Sequence, residues 1–267
     1  MGLPTDKLPV LEEFVSIQGE GRNIGKPYYF IRVGGCPLRC NFCDSEYTWT
    51  PTADSIMDVE RVVDRAIEAC AANNIEWVSI TGGEPMIYPK QMMMFIRLLK
   101  MKSNHQLRVH IETSGRFYDP NIHVACDIYS PDAKTPCTGE KMDGFFQGIH
   151  GMRAQDQVKC LISNEDDLNY ANRVNNALAG ICPTILQPFN QEIATDSVAN
   201  MDPAIAATRN TPAADSGNPT VMRRAMAVSL RWLLDTFHDR CSKGERWQNV
   251  IITPQIHVLA YGNTPST

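Results

Sequence analysis

Apolar and polar positions along this chain follow two periods in turn. Residues 28–33, YYFIRV, are an aromatic and β-branched run that predicts a first strand. Val59, Val62, Val63, Ala66, Ile67 and Cys70 recur at helical spacing, which predicts a helix from a cap at Asp54 or Ser55 to about residue 72. Strands follow at 77–81, 107–112, 125–129, 157–162 and 183–186, with helices over about 90–100 and 166–178. A long helix over 222–240 and a late strand at 249–253 complete the series. Strands alternating with helices make a parallel sheet with right-handed crossovers. Six βα units do not fill the eight of a closed barrel. The predicted fold is therefore α/β, an open partial (βα)6 barrel. Residues 9–25 read as a lead-in segment and a turn, with Val10, Phe14 and Ile17 apolar and glycines at 19, 21 and 25. Residues 191–221, rich in Ala, Asn, Thr, Asp and Pro and without periodicity, read as a long loop or lid inserted into a single domain spanning 1–267.

The unusual residues fall at one place in this rhythm. The stretch RVGGCPLRCNFCDSE (32–46), then GGEP (82–85), ETSG (112–115), SPDAK (130–134) and QPFN (187–190) each follow the C-terminal end of a predicted strand. In barrel-like folds that edge carries the chemistry, so five separate loops are expected to face one mouth. Arg32 is a charge at the end of an apolar strand. It reads either as half of a salt bridge or as a fork for a substrate carboxylate. The backbone of Gln18-Gly19-Glu20-Gly21 is suited to hydrogen bonding a flat polar ligand.

Cys36, Cys40 and Cys43 lie in one short loop, with gaps of three residues and then two. Three thiolates turned to one point can hold three irons of a cubane and leave the fourth iron without a protein ligand. Such a free corner is what a reactive metal site keeps for its substrate. A structural zinc would need a fourth ligand at similar spacing, and the sequence offers none: the next cysteine is Cys70, in the helical pattern, and His105 and His110 stand apart. Phe42, just before the third cysteine, could lie against an adenine.

Composition narrows the classes. The 267 residues are 43% hydrophobic and 21% charged, enough for a large core without disulfides. A net charge of −5 gives no global basic field for nucleic acid. No apolar run approaches the roughly 20 residues of a membrane span, and the start of the chain has no signal-peptide core. Nine cysteines without an export signal point to a reducing, cytoplasmic compartment. Cys70, Cys126, Cys160, Cys182 and Cys241 read mostly as buried apolar thiols, and Cys137, in a polar loop, as the exposed one.

The C-x3-C-x2-C spacing and GGEP resemble the radical S-adenosylmethionine (SAM) superfamily. That resemblance implies a 4Fe–4S cluster on Cys36, Cys40 and Cys43, and a SAM bound at the open iron and split to an adenosyl radical. IQGEG, FIRVGGC, CNFCDSEYTW, TGGEP, SP and LQP, with the late PQIHVLAYGN, are further similar to the 7-carboxy-7-deazaguanine synthase family. Membership implies conversion of 6-carboxy-5,6,7,8-tetrahydropterin to 7-carboxy-7-deazaguanine with loss of ammonia. It implies pterin contacts at Ile17, Gln18, Gly19, Arg32 and Thr81. It implies SAM contacts at Phe42, Cys43, Asp44, Gly83, Ser130, Pro131, Asp132, Gln187, Pro188, Phe189 and Asn190. It also implies Mg2+ at Ser45, a homodimer, and an electron donor such as flavodoxin. The sequence departs from the family where SPK is usual: here Asp132 follows Ser130-Pro131, and the lysine is Lys134. Two other classes share part of the pattern: an activase that makes a glycyl radical on a partner protein, and a zinc-stapled binding module.

Overall fold

The computed structural model describes residues 3–41, 43–141, 148–189 and 219–261. Among the described residues nine strands form one unclosed sheet in the order β3-β1-β2-β4-β5-β6-β7-β8-β9. The strands are β1 (Lys7–Ile17), β2 (Pro27–Val33), β3 (Ile56–Asp58), β4 (Trp77–Gly82), β5 (Arg108–Thr113), β6 (Ile128–Ala133), β7 (Val158–Ile162), β8 (Thr184–Pro188) and β9 (Val250–Ile252). From β2 through β9 every neighbouring pair is parallel, as the alternating pattern required. Helices α1 (Val59–Asn73), α2 (Pro89–Lys102), α3 (Pro120–Ala125), α4 (Glu165–Leu178), α5 (Pro219–Ser242) and α6 (Ile256–Tyr261) accompany the sheet. The predicted open barrel of six parallel strands is present as β2 and β4 to β8.

Several boundaries differ from the reading of the sequence. The lead-in part of residues 9–25 is the long strand β1, antiparallel to β2 with a register shift between Val10 and Glu12, and the expected turn follows it at Gly21–Asn23. Helix α1 starts at Val59, because residues 56–58 pair with β1 instead. The fourth predicted strand begins at Ile128 rather than 125 and carries Ser130 to Ala133 within it; residues 120–125 form α3. The last three residues of the 191–221 segment belong to α5, and 191–218 lie outside the described residues. Cys137 is half-buried rather than exposed, as is Cys241. No helix among the described residues is long and apolar enough to cross a membrane.

The helices bury their apolar stripes on the outer face of the sheet. Val62, Val63 and Ala66 of α1, Phe95, Ile96 and Leu99 of α2, and Leu168, Ala171 and Val174 of α4 are all 2% exposed or less. Each large side chain there contributes about 1.5–3 kcal/mol. The inner face is layered by the strand period of two. Its floor is a separate cluster of Tyr28, Phe30, Trp77 and Ile128 with Phe14 packed on it; Tyr28 stacks on Trp77 at 5.5 Å. Above this floor the strands turn polar. Arg32 pairs with Thr81 across β2 and β4, and Glu112 pairs with Ser130 across β5 and β6. Thr81 and Glu112 each follow the paired Ile80 and Ile111 of β4 and β5, so the four form one polar rung.

Candidate active site

The polar rung opens into a cavity of about 240 Å3 at the C-terminal edge of the sheet. Cys36, Cys40 and Cys43 all line it. Their loop is fixed from both sides: Gly35 N donates to Thr48 O at 2.7 Å, Cys36 N to Trp49 O at 3.2 Å, and Asn41 N to Thr138 O at 3.0 Å. Arg39 stacks 4.6 Å from the Trp49 ring and donates to Cys36 O at 2.7 Å.

The GGEP turn is seated directly on this loop. Gly83 N donates to Val33 O and Glu84 N to Gly35 O, both at 2.8 Å. A Cβ on Gly83 would come within 2.2 Å of Gly35 O, so only glycine allows the approach. Glu84 is fully buried and its carboxylate accepts from Met86 N at 2.9 Å, Thr113 Oγ1 at 2.6 Å, Ser114 N at 2.8 Å and the Ser114 hydroxyl. This assigns a role to the ETSG loop: it anchors the turn that supports the cysteines. Replacing Glu84 with Ala leaves these donors unpaired in the core, and denaturant unfolding is expected to show a loss of about 3–5 kcal/mol. Glu84→Gln, which keeps one oxygen, is expected to lose less. Equal stability of Glu84→Ala and wild type would contradict the anchor.

Burial pushes all three cavity thiols up, Cys40 to about 11, and the nearby Lys134 ammonium works against that rise. Among the described residues no three His, Cys, Asp or Glu side chains gather closely enough to hold a single metal ion. Three thiols spread round one cavity suit a multi-iron cluster, one iron each, better than a tetrahedral zinc. Cys137, the thiol of the neighbouring loop, does not line the cavity; its sulfur lies 3.2 Å from Thr135 Oγ1.

All five residues expected to meet the pterin, Ile17, Gln18, Gly19, Arg32 and Thr81, line the cavity. Arg32 makes the salt bridge, with its Nε 3.0 Å from Glu12 Oε2, and its guanidinium also reaches the cavity, 5.4 Å from the Phe14 ring. Of the residues expected to meet SAM, Cys43, Asp44, Gly83, Asp132 and Gln187 line it as well. Gln187 Nε2 is buried and has no hydrogen-bond partner among the described residues. Ser130 is fully buried and accepts from Gln157 Nε2 at 2.9 Å; it does not line the cavity, nor do Pro131, Pro188 and Phe189. Phe42 and Asn190 lie outside the described residues. Ser45 lines the cavity and its hydroxyl donates to Asp44 Oδ1 at 2.9 Å. Lys134 lines it too, ion-paired with Asp132, so the displaced lysine still delivers its charge beside Cys40.

The sequence reading passed over a second polar group on the far wall. Lys159 Nζ bridges Glu20 Oε2 at 2.6 Å and Glu112 Oε2 at 3.2 Å. Glu112 Oε1 also accepts from Gln18 Nε2 at 2.9 Å and Ser79 Oγ at 3.2 Å, and Gln255 donates to Glu20 Oε1. The segment carrying Gln255 and His257 is tied down by Ile256 N donating to Gly19 O at 3.0 Å. His257 packs so closely that a Cβ on Gly19 would meet its Nδ1 at 1.9 Å. A lysine inside the apolar strand VKCLI was the available signal for this group.

A half-barrel with three cysteines and a glycine turn at its mouth defines a radical SAM protein, and residues 30–128 match the model of the radical SAM superfamily. The chain is 34% identical over 170 residues to 7-carboxy-7-deazaguanine synthase of Pyrobaculum aerophilum, covering 63% of this chain and 73% of that one. It is 27% identical to 7-carboxy-7-deazaguanine synthase of Bacillus subtilis over 96% of its own length and 97% of the relative's. It belongs to the 7-carboxy-7-deazaguanine synthase family. The fold is shared with a crystal structure of QueE from Escherichia coli, at a TM-score of 0.53 and 21% identity over 68% of this chain and 84% of that one.

Proposed function

We propose that this protein converts 6-carboxy-5,6,7,8-tetrahydropterin to 7-carboxy-7-deazaguanine with release of ammonia. The observation that carries the reading is the meeting of the three thiols and the Arg32–Thr81–Glu112 rung in a single cavity. Cys36, Cys40 and Cys43 would hold a 4Fe–4S cluster, which when bound would supply the one-electron reduction of SAM on which radical chemistry at the substrate depends. The Gly83 backbone and Gln187 hold and orient SAM, with Asp44 and Asp132 at its edges. Phe42, Ser130, Pro131, Pro188, Phe189 and Asn190 complete that assignment on family grounds.

Arg32 binds the pterin carboxylate, which a planar guanidinium matches well. Ile17, Gln18, Gly19 and Thr81 frame the ring. Ser45 would supply one oxygen to Mg2+, an ion that usually keeps several waters. The chain acts as a single radical SAM domain bearing an insertion at 191–221, in the cytoplasm, as a homodimer reduced by a flavodoxin-type donor.

Anaerobic incubation of the reconstituted, reduced protein with the pterin, SAM and Mg2+ tests the reading. Mass spectrometry is expected to find 7-carboxy-7-deazaguanine and one ammonia per product. SAM cleavage without that product would contradict it.

A further inference from the structure

Lys159 is the element of the cavity that the reaction assigned above leaves unused. Its ammonium is buried between two carboxylates that come from distant parts of the chain, Glu20 on the loop after β1 and Glu112 at the end of β5. Both carboxylates and the lysine line the cavity. Arg32 on β2 and Glu112 on β5 flank β4, where Thr81 pairs with Arg32 and, like Glu112, stands one residue beyond the Ile80–Ile111 pair. They therefore stand two strand spacings apart, roughly 10 Å. A cation at one end and carboxylates at the other match a bicyclic heterocycle that carries a carboxylate on one edge and N–H donors on the opposite edge. The 2-amino-4-oxo edge of a pterin has such donors, at the exocyclic amine and the neighbouring ring nitrogen.

We infer that Lys159 is a positioning residue that holds Glu20 and Glu112 as a pair of hydrogen-bond acceptors facing the donor edge of the substrate. The inference rests on the pterin reading and deepens it. Without the lysine, two carboxylates would share one buried site, and like charges in that setting bind a proton. A protonated carboxyl donates where the ring edge also donates, so the pair would turn from acceptor to clash.

Electrostatics around the group agree. Burial raises both carboxyls more than any other single influence; the Lys159 charge is the largest opposing one, and together with the hydrogen bonds and the neighbouring histidine it brings both below the usual range. Burial would lower Lys159, and Glu112 and Glu20 outweigh that, with Asp132 adding to them. The other groups facing the cluster are Lys134, His110 and His257. His110, one layer below Glu112, is pushed down to about 4 chiefly by burial and stays neutral.

The test is equilibrium binding of 6-carboxy-5,6,7,8-tetrahydropterin to cluster-loaded, unreduced protein with SAM present, from about pH 6.5 to about pH 9. Wild type is expected to bind with nearly constant affinity across that range. Lys159→Met is expected to bind about 10- to 100-fold more weakly near pH 7 and to recover as pH rises, because the acceptor form is then restored. SAM affinity should stay within about twofold. Lys159→Arg should restore most of the loss at every pH. Should Lys159→Met fail to fold, Lys159→Met/Glu112→Gln removes one charge of each sign. It is expected to bind weakly but with no pH recovery.

Wild-type-like binding by Lys159→Met, a loss in that variant that is flat with pH, or a pH recovery in the double variant would overturn the inference. Failure of the wild type to bind the pterin at all would instead overturn the substrate reading.

Discussion

Cys40→Ala is expected to bring product formation and SAM cleavage below detection, and to lower the iron retained after anaerobic reconstitution. Cys40 is half-buried at the cavity, and the Cys137 sulfur of the neighbouring loop lies outside the lining, beside Thr135. The substitution keeps Cβ and removes a side chain whose structural bonds are few, so the iron-free protein should unfold within about 0.5 kcal/mol of wild type. That combination separates loss of a ligand from loss of the fold. Full turnover by Cys40→Ala would remove the thiol from the site.

Arg32→Ala is the second large effect. A charge-assisted fork to a carboxylate is worth roughly 1.5–3 kcal/mol, so pterin binding should weaken about 10- to 100-fold while SAM binding is unchanged. Glu12, the ion-pair partner of Arg32, keeps the Tyr47 hydroxyl at 2.9 Å, which limits the structural cost of the change. Arg32→Lys should recover only part of the affinity, because an ammonium cannot present two parallel donors. Pterin affinity equal to wild type in Arg32→Ala would mean that the Glu12 pair is the whole role of the residue.

Much of this was legible in the sequence because it is local. Three cysteines within eight residues and a GGEP turn at a strand end state their chemistry in one loop each, and the βα rhythm gave the open barrel. Arg32 could be singled out because a charge in YYFIRV is out of keeping with its strand. The strand β1 was not legible: Glu12 and Glu13 interrupt its alternation, and each is satisfied by a remote cation, Arg32 and Arg65. The Lys159–Glu20–Glu112 group was hidden for a related reason. Its members are separated by 47 to 139 residues in the chain, and only the closing of the sheet brings them together. The seat of Gly83 on Gly35 is likewise a tertiary contact, although the glycines themselves announced a close approach.

The central claim is that three thiolates hold an iron cluster with one corner left for SAM in the same cavity as Arg32. The most direct measurement is Mössbauer spectroscopy of the 57Fe-reconstituted protein with and without SAM. The account predicts a four-iron cluster in which one iron changes its signal when SAM is added, while the other three do not. A cluster indifferent to SAM, or a colourless protein that takes up one zinc and no iron, would contradict it.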